Sequence, residues 1–572
     1  MSDDQPHPAP TAGPARPDRR AFLRASALAA GLAAAGTGIA RAAGPVHAEP
    51  GALPAAHTAG TTLAQAAAPG RARTGGYRKL TAGRGWPLYV HQELAAAHPS
   101  RENTRIPLAS LVQLTDIHIA DVQSPARFEY VHPVQAPAYR PQEALGTQGA
   151  VALVNRINAL PGGPFTGRAF DAVVSTGDNT DNHQYCELTW FMRLLSGGTI
   201  TPNTGAKGRF EGVQALGSTQ YYRPELGSWD IYKDAGFVQI PGLLRAAIAA
   251  HTSPGLRTPW YAVFGNHDDS MLGTVPNGVL DWLYLSSVKF DLPATDPAFN
   301  RIAAALARDP GQLGALLTGL RVTGPTLPAT PDPQRRPMNA REFVRRHFEP
   351  SATGPGPVGH GFADPDGPTW YRFQIAPGVL GIAMNTTNSL GIADGSMGEK
   401  QLAWIERQLR AHADQLVIVF SHHTSTTMTA TLPNPETPGE RQFLGEDLVA
   451  ALHRHPNVIA WVNGHTHNNA MIAHRGSTPK RSFWEINTAS HIDYPQLARI
   501  LEVTDNRDGT ISIFTPLIEA DAAYTADEDD LSPAGLASLY RELAYNDIHT
   551  DPERIGKLSD RNCELLLVNP LH

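Results

Sequence analysis

The clearest signal in this 572-residue chain is a series of short β-branched and aliphatic runs, each broken off by glycine or polar residues. Leu108–Thr115, Phe170–Thr176, Trp260–Phe264, Val379–Met384, Leu416–Phe420 and Val458–Val462 have the length and composition of buried strands. Between the first two, Val151, Leu153, Val154 and Ile157 recur at helical spacing within Gly149–Leu160, which predicts a β-α-β unit and hence a parallel strand pair. A second helix is predicted over Gly398–His412, with Leu402, Ile405 and Leu409 on one face, leading into Leu416–Phe420. Arg499–Thr504 and Thr510–Thr515, joined through Asn506-Arg507-Asp508-Gly509, read as an antiparallel hairpin. The expected fold is α/β: a two-sheet β-sandwich of mixed sheets with helices outside.

The stretches around this pattern divide the chain. Residues 1–17 are rich in proline and alanine. Asp18-Arg19-Arg20-Ala21-Phe22-Leu23-Arg24 then precedes an Ala/Leu/Gly run that ends at Ala40-Arg41-Ala42. Paired arginines, a modest apolar segment and a small-residue site resemble a twin-arginine export signal over residues 1–42. The apolar run is shorter and weaker than the roughly 20 residues a membrane span needs, so cleavage is expected rather than anchoring. Residues 43–75 read as a linker and 76–525 as the main domain, with insertions near 183–255 and 270–370. Insertions of that length carry structure of their own and are expected to form a cap beside the site. Residues 526–572 read as a partly helical tail, with Leu536, Leu539, Tyr540, Leu543 and Ala544 forming an apolar face.

Composition narrows the function. A formal net charge of -7, with 18% charged residues, argues against a protein that holds nucleic acid by its phosphates. Only two cysteines, Cys186 and Cys563, are present, so a four-sulfur metal site is excluded; whether the two pair is left open by the sequence.

The chemistry lies where the strands end. Asp116 and His118, Asp178, Asn266 and His267, His422, and His465 and His467 each follow a predicted strand. In an open α/β sheet that is where ligand sites are built. Residues two apart on an extended segment point the same way, so Asp116 and His118, or His465 and His467, could meet one ion. With 23 histidines some fall after strands by chance, but five such blocks in order do not.

Those blocks, LTDIHIAD, STGDNTD, FGNHDD, FSHH and NGHTH, resemble the signature of the calcineurin-like metallophosphoesterase superfamily. The SPARFEY and WEINTASH stretches, with the export signal, are similar to an exported actinobacterial-type branch. The resemblance implies a four-layer fold and two metal sites. Asp116, His118, Asp178 and His467 would hold one ion, and Asp178, Asn266, His422 and His465 the other, with Asp178 bridging. Nitrogen and oxygen donors without sulfur suit Mn, Fe, Zn, Ni or Co. The resemblance further implies that His267 protonates the leaving group, with Asp268 orienting its ring. Asp181 stands where purple acid phosphatases carry a tyrosine on ferric iron, which argues against a coloured iron site. His423, Arg127, Arg140 and His183 are candidate substrate contacts, and His491 and Asp493 candidate neighbours of the cleft.

The function implied is an exported, binuclear-metal hydrolase of phosphate monoesters or diesters. Its substrate would be a small-molecule or lipid phosphate ester, and the twin-arginine machinery its export partner. Its final location would be extracellular, cell-wall associated or periplasmic. The rival reading is a non-catalytic metal-binding scaffold or surface-binding protein on the same fold.

Overall fold

The computed structural model describes residues 57–320 and 324–572. The expected export signal, and the start of the expected linker, lie outside the described residues. Two mixed sheets face each other across one apolar core. The first runs in the order Leu88–His91, Asn562–Val568, Thr510–Phe514, Leu497–Asp505, Ile106–Leu114, Ala172–Ser175, Trp260–Ala262, with Leu517–Glu519 also paired to Leu497–Asp505. The second runs Tyr371–Ala376, Val379–Ala383, Leu416–Phe420, Val458–Asn463, Phe483–Asn487, Ala470–His474. Leu111, Val112, Val173 and Ile500 of the first sheet share a cluster with Ile418, Phe420, Ala460 and Val462 of the second. These runs are apolar on both faces because both faces are covered, as parallel strands require.

Helices cover the outside. Gly146–Ala159 joins two parallel strands of the first sheet and packs against Pro533–Asn546. They approach so closely that a Cβ on Gly149 would fall 2.2 Å from the Tyr540 ring. Leu402, Ile405 and Leu409 of Glu399–Ala411, with Leu448 and Leu452 of Gly445–Leu452, cover Leu380, Ile382, Val417 and Val419 of the second sheet. This gives helix, sheet, sheet, helix layers.

Within each sheet the strands that lead into the candidate ligand motifs are mutually parallel. Ile106–Leu114, Ala172–Ser175 and Trp260–Ala262 run together in one, and Leu416–Phe420 and Val458–Asn463 in the other. Their carboxyl ends therefore deliver Asp116, Asp178, Asn266, His422 and His465 to one edge of the sandwich.

Two expectations about the chain ends need correction. Gln65–Ala72, inside the expected linker, is a strand paired with Arg78–Arg84, and the Ala67 N–H donates to Glu519. A run of three alanines followed by Pro69-Gly70, with no β-branched or large apolar residue, hid a segment held by backbone pairing rather than by apolar mass. The tail is likewise part of the core. Asn562–Val568 lies inside the first sheet between Thr510–Phe514 and Leu88–His91. Cys186 and Cys563 are both buried free thiols. Among the described residues no helix is long and apolar enough to cross a membrane.

The second insertion carries its own core, in which Ile302, Leu306, Leu313 and Leu317 pack with Phe128, Tyr130 and Tyr284. It meets the sandwich through a buried histidine pair. His347 and His360 share a hydrogen bond at 3.0 Å, and His360 stacks at 3.6 Å on Trp260, in the edge strand of the first sheet. Burial holds His360 down to about 4 and His347 well below the usual range. The folded chain thus keeps both neutral while the unfolded chain takes up protons below about pH 6.5. Stability from this pair is complete above that pH and lost as pH falls towards 4. The double substitution His347→Phe, His360→Phe is expected to flatten the fall of the thermal midpoint between pH 6.5 and 4. An unchanged slope would contradict the assignment.

Candidate metal centre

The strand Ile106–Leu114 stops one residue before the first motif, and from there the backbone is not extended. Asp116, His118, Asp178, His465 and His467 have φ of 50°, 46°, 49°, 69° and 57°. The side chains at i and i+2 converge through paired left-handed residues, not through the strand alternation the spacing suggests. Such conformations cost on the order of 1–3 kcal/mol each in non-glycine residues and persist only where surroundings over-determine them. Here the loops brace one another: the Asp116 and His118 N–H groups donate to the carbonyls of Gly177 (3.1 Å) and Asp178 (3.0 Å). The His465 N–H donates to the Asp116 carboxylate, 3.0 Å from Oδ2. Two glycines of the motifs allow this proximity. A Cβ on Gly464 would lie 2.0 Å from Thr115 Oγ1 and 2.4 Å from Asp116 Oδ2, and one on Gly177 2.5 Å from His422 Nδ1.

The side chains form three overlapping groups, each with donor atoms within 4.8 Å of one another: Asp116, His118 and His467; His118, Asp178 and His267; and Asp178, His422 and His465. Asp178 Oδ2 lies 3.5 Å from His118 Nε2 and 3.2 Å from His422 Nε2, and His467 Nε2 lies 3.3 Å from Asp116 Oδ1. Asp178 Oδ1 accepts the His267 N–H at 2.9 Å.

Second partners fix the rings. His118 Nδ1 donates to Asp181 (3.1 Å), His422 Nδ1 to the Thr176 carbonyl (2.9 Å), His467 Nδ1 to Asp493 (2.6 Å), and His267 Nδ1 to the Asp181 carbonyl (2.7 Å). In His118, His422 and His467 Nδ1 is committed to its acceptor, which turns Nε2 towards the Asp178 and Asp116 carboxylates, as ligating histidines require.

Two buried atoms make the fit to cations specific: His118 Nε2 and Asn266 Oδ1 have no hydrogen-bond partner. The Asn266 amide nitrogen donates to the Gly273 carbonyl at 3.2 Å, which leaves its oxygen for another ligand. Burial raises the Asp178 carboxyl, but His422, His267 and His118 outweigh it and hold the group well below its usual range. Burial lowers His422, yet Asp178 and Asp116 bring it up to about 9, so a proton on that ring takes the place of positive charge. Anions gathered in a dry pocket and compensated by imidazole protons suit exchange of those protons for metal ions.

The structure places several sequence candidates elsewhere. Asp268 does not touch the His267 ring; its carboxylate accepts from Gly265, Asn179 and Thr180, tying the second motif loop to the third. It is a positioning residue. Arg127 is buried among Asp181, Glu143 and Glu129, where it anchors the carboxylate that orients His118, and is closed to substrate. Arg140 is likewise buried, on Asp493. His423 uses both ring nitrogens, on Thr386 Oγ1 and the Ala393 carbonyl, while its ring packs against His465 at 4.4 Å. His183 is buried with Nδ1 on the Met338 carbonyl; His491 is buried with its ring beside Tyr540, and only its backbone N–H reaches the first motif, on the Thr115 and Asp116 carbonyls. The site opens at His267 and His465, both half-buried.

Asp493 is more central than the sequence suggested. It receives His467 Nδ1, the Arg140 guanidinium and Arg554. Arg554 comes from the tail, and its carbonyl accepts the N–H of Asn469, two residues after His467. No spacing or composition marked it, since only the fold brings it there.

No protein-family profile and no curated protein matches the chain. Among solved structures, a dimetal phosphatase from Danio rerio is similar at 11% identity and a TM-score of 0.31, over 72% of this chain and 99% of that one. A purple acid phosphatase from yellow lupin (Lupinus luteus) is similar at 9% identity and a TM-score of 0.28, over 80% of this chain and 56% of that one. At those values the likeness adds nothing to the fold already described, and the functional reading rests on the side chains.

Arg554→Ala is expected to free Asp493 and loosen His467, lowering metal affinity roughly 10- to 100-fold, with Arg554→Lys in between. Metal titration of the purified variants checks this; wild-type affinity in Arg554→Ala would contradict it.

Proposed function

We propose that the chain is a binuclear-metal hydrolase of phosphate esters. The observation that carries this reading is the chain of three His/Asp groups linked through His118 and Asp178, which offers adjacent cation sites with common ligands. Asp116, His118, Asp178 and His467 would hold one ion, and Asp178, Asn266, His422 and His465 the other. Two bound cations supply a nucleophile at neutral pH and neutralise the charge of the phosphate oxygens. Mn, Fe, Zn, Ni and Co all suit the donor set.

The protein's own part is to fix, dry and proton-balance this centre. Asp181, Thr176 and Asp493 keep the histidine lone pairs inward, and burial excludes bulk water from the carboxylates. His267 has its Nδ1 proton committed to the Asp181 carbonyl, so the leaving-group proton would travel on Nε2. Its exposure, at the mouth rather than the floor, suits a group that meets the departing oxygen. Export through a twin-arginine signal in residues 1–42 completes the reading, because that route carries folded, metal-loaded proteins.

The scaffold reading predicts metal binding without turnover. Hydrolysis of para-nitrophenyl phosphate and bis-para-nitrophenyl phosphate by the metal-loaded chain separates the two. Turnover of at least one, abolished by chelation, is expected; full metal loading with neither hydrolysed would leave the scaffold. His267→Ala is expected to keep its metals and lose on the order of 10²–10⁴ in kcat. If the substitution instead empties the site, His267 is a ligand and its proton-transfer role fails.

A further inference from the structure

A groove lies at the same end of the sandwich as the metal centre and takes no part in it. Its outer part, about 650 Å³, is lined by Trp370, Trp404, Arg372, Arg407, Lys400 and Asp364. Its inner part, about 340 Å³, continues past Trp370 and Lys400 to Asn385, Thr387 and Asn434. The location follows from strand register. Tyr371 pairs with Ala383 and Ala383 with Phe420, so the Trp370 end lies two strand spacings, about 10 Å, from the strand end that carries His422. The inner wall also touches the centre's surroundings, because Thr386, between Asn385 and Thr387, bonds His423, whose ring packs on His465.

The lining combines two kinds of recognition. Trp370 and Trp404 line the groove half-buried, Trp404 packing against the core beneath it, and Arg372 and Arg407 are exposed. Among the described residues neither the Arg372 nor the Arg407 side chain makes a hydrogen bond or ion pair. Lys400 is already paired with Glu440 at 2.9 Å. Asp364 is the only acid in the outer part, and its carboxylate accepts the Asp366 N–H, with capacity for a further donor. Indole faces stack flat rings, guanidinium groups grip phosphate by paired N–H donors, and a carboxylate accepts from an exocyclic amine. Free phosphate uses only the arginines and a neutral ring only the tryptophans.

We propose that this groove is an accessory site for a nucleoside phosphate, with the base against Trp404 or Trp370 and the phosphate on Arg372 and Arg407. The site stands independently of the metal centre's chemistry. Its test is calorimetric titration of the full-length chain carrying Asp178→Ala, which removes turnover, with adenosine 5′-monophosphate, adenosine and inorganic phosphate. The chelator-treated wild-type chain serves if the substitution unfolds the protein.

Saturable binding of adenosine monophosphate is expected, roughly tenfold or more tighter than either fragment, since stacking of one base is worth about 1–3 kcal/mol. Trp404→Ala, and Arg372→Ala with Arg407→Ala, are each expected to weaken it about tenfold or more; the arginine pair, both exposed, leaves the thermal midpoint at the parent value, whereas Trp404→Ala also lowers it because Trp404 packs on the core below. Three results would overturn the proposal: no saturable binding at millimolar nucleotide, equal affinity for phosphate alone, or unchanged affinity in the groove variants. The last would place any nucleotide elsewhere, at the metal centre for example.

Discussion

Everything in the site depends on the environment of one carboxylate, Asp178. It is buried, it lies 3.5 Å from His118 and 3.2 Å from His422, and a backbone N–H from the third motif holds its other oxygen. A buried carboxylate in that position is costly unless positive charge meets it. In the free chain, protons on imidazole supply that charge, and His422 is pushed up to about 9 as a result. The same constraint explains why histidines surround it, why each ring is oriented from behind, and why buried atoms on His118 and Asn266 stay unpartnered.

The fold serves this centre by convergence. Parallel strands of two facing sheets end at one edge, and their loops interlock through backbone hydrogen bonds rather than through the strands themselves. Left-handed backbone at five candidate ligand positions is the strain this interlocking sustains. Outer layers then stiffen the rings. Arg127 anchors Asp181 behind His118, and Arg140 and Arg554 anchor Asp493 behind His467. Arg554 makes the C-terminal tail part of the site's support, while Asn562–Val568 makes it part of the sheet.

Much of this was legible in the sequence, for identifiable reasons. Buried parallel strands are nearly continuous apolar runs, so Leu416–Phe420 and Val458–Val462 stand out without neighbours. The candidate metal-ligand residues stand out because each directly follows such a run. What stayed hidden depends on distant contacts. Asp268 follows His267 in sequence, yet its carboxylate turns to the Asn179 loop, because the short helix Asn266–Asp269 caps itself there. Arg127 and Arg140 resemble surface arginines until Asp181 and Asp493 are seen to need counter-charges. The strand Asn562–Val568 has polar residues at its start that are satisfied only inside the sheet, as Asn562 is by the Leu517 N–H. Arg554 carried no local signal at all.

The most direct measurement is metal stoichiometry by mass spectrometry and calorimetric titration, comparing the wild-type chain, Asp178→Ala and Asn266→Ala. If Asp178 is common to both sites, the wild-type chain binds two ions, Asn266→Ala weakens one, and Asp178→Ala disrupts both. Two ions retained at wild-type affinity in Asp178→Ala would contradict the account.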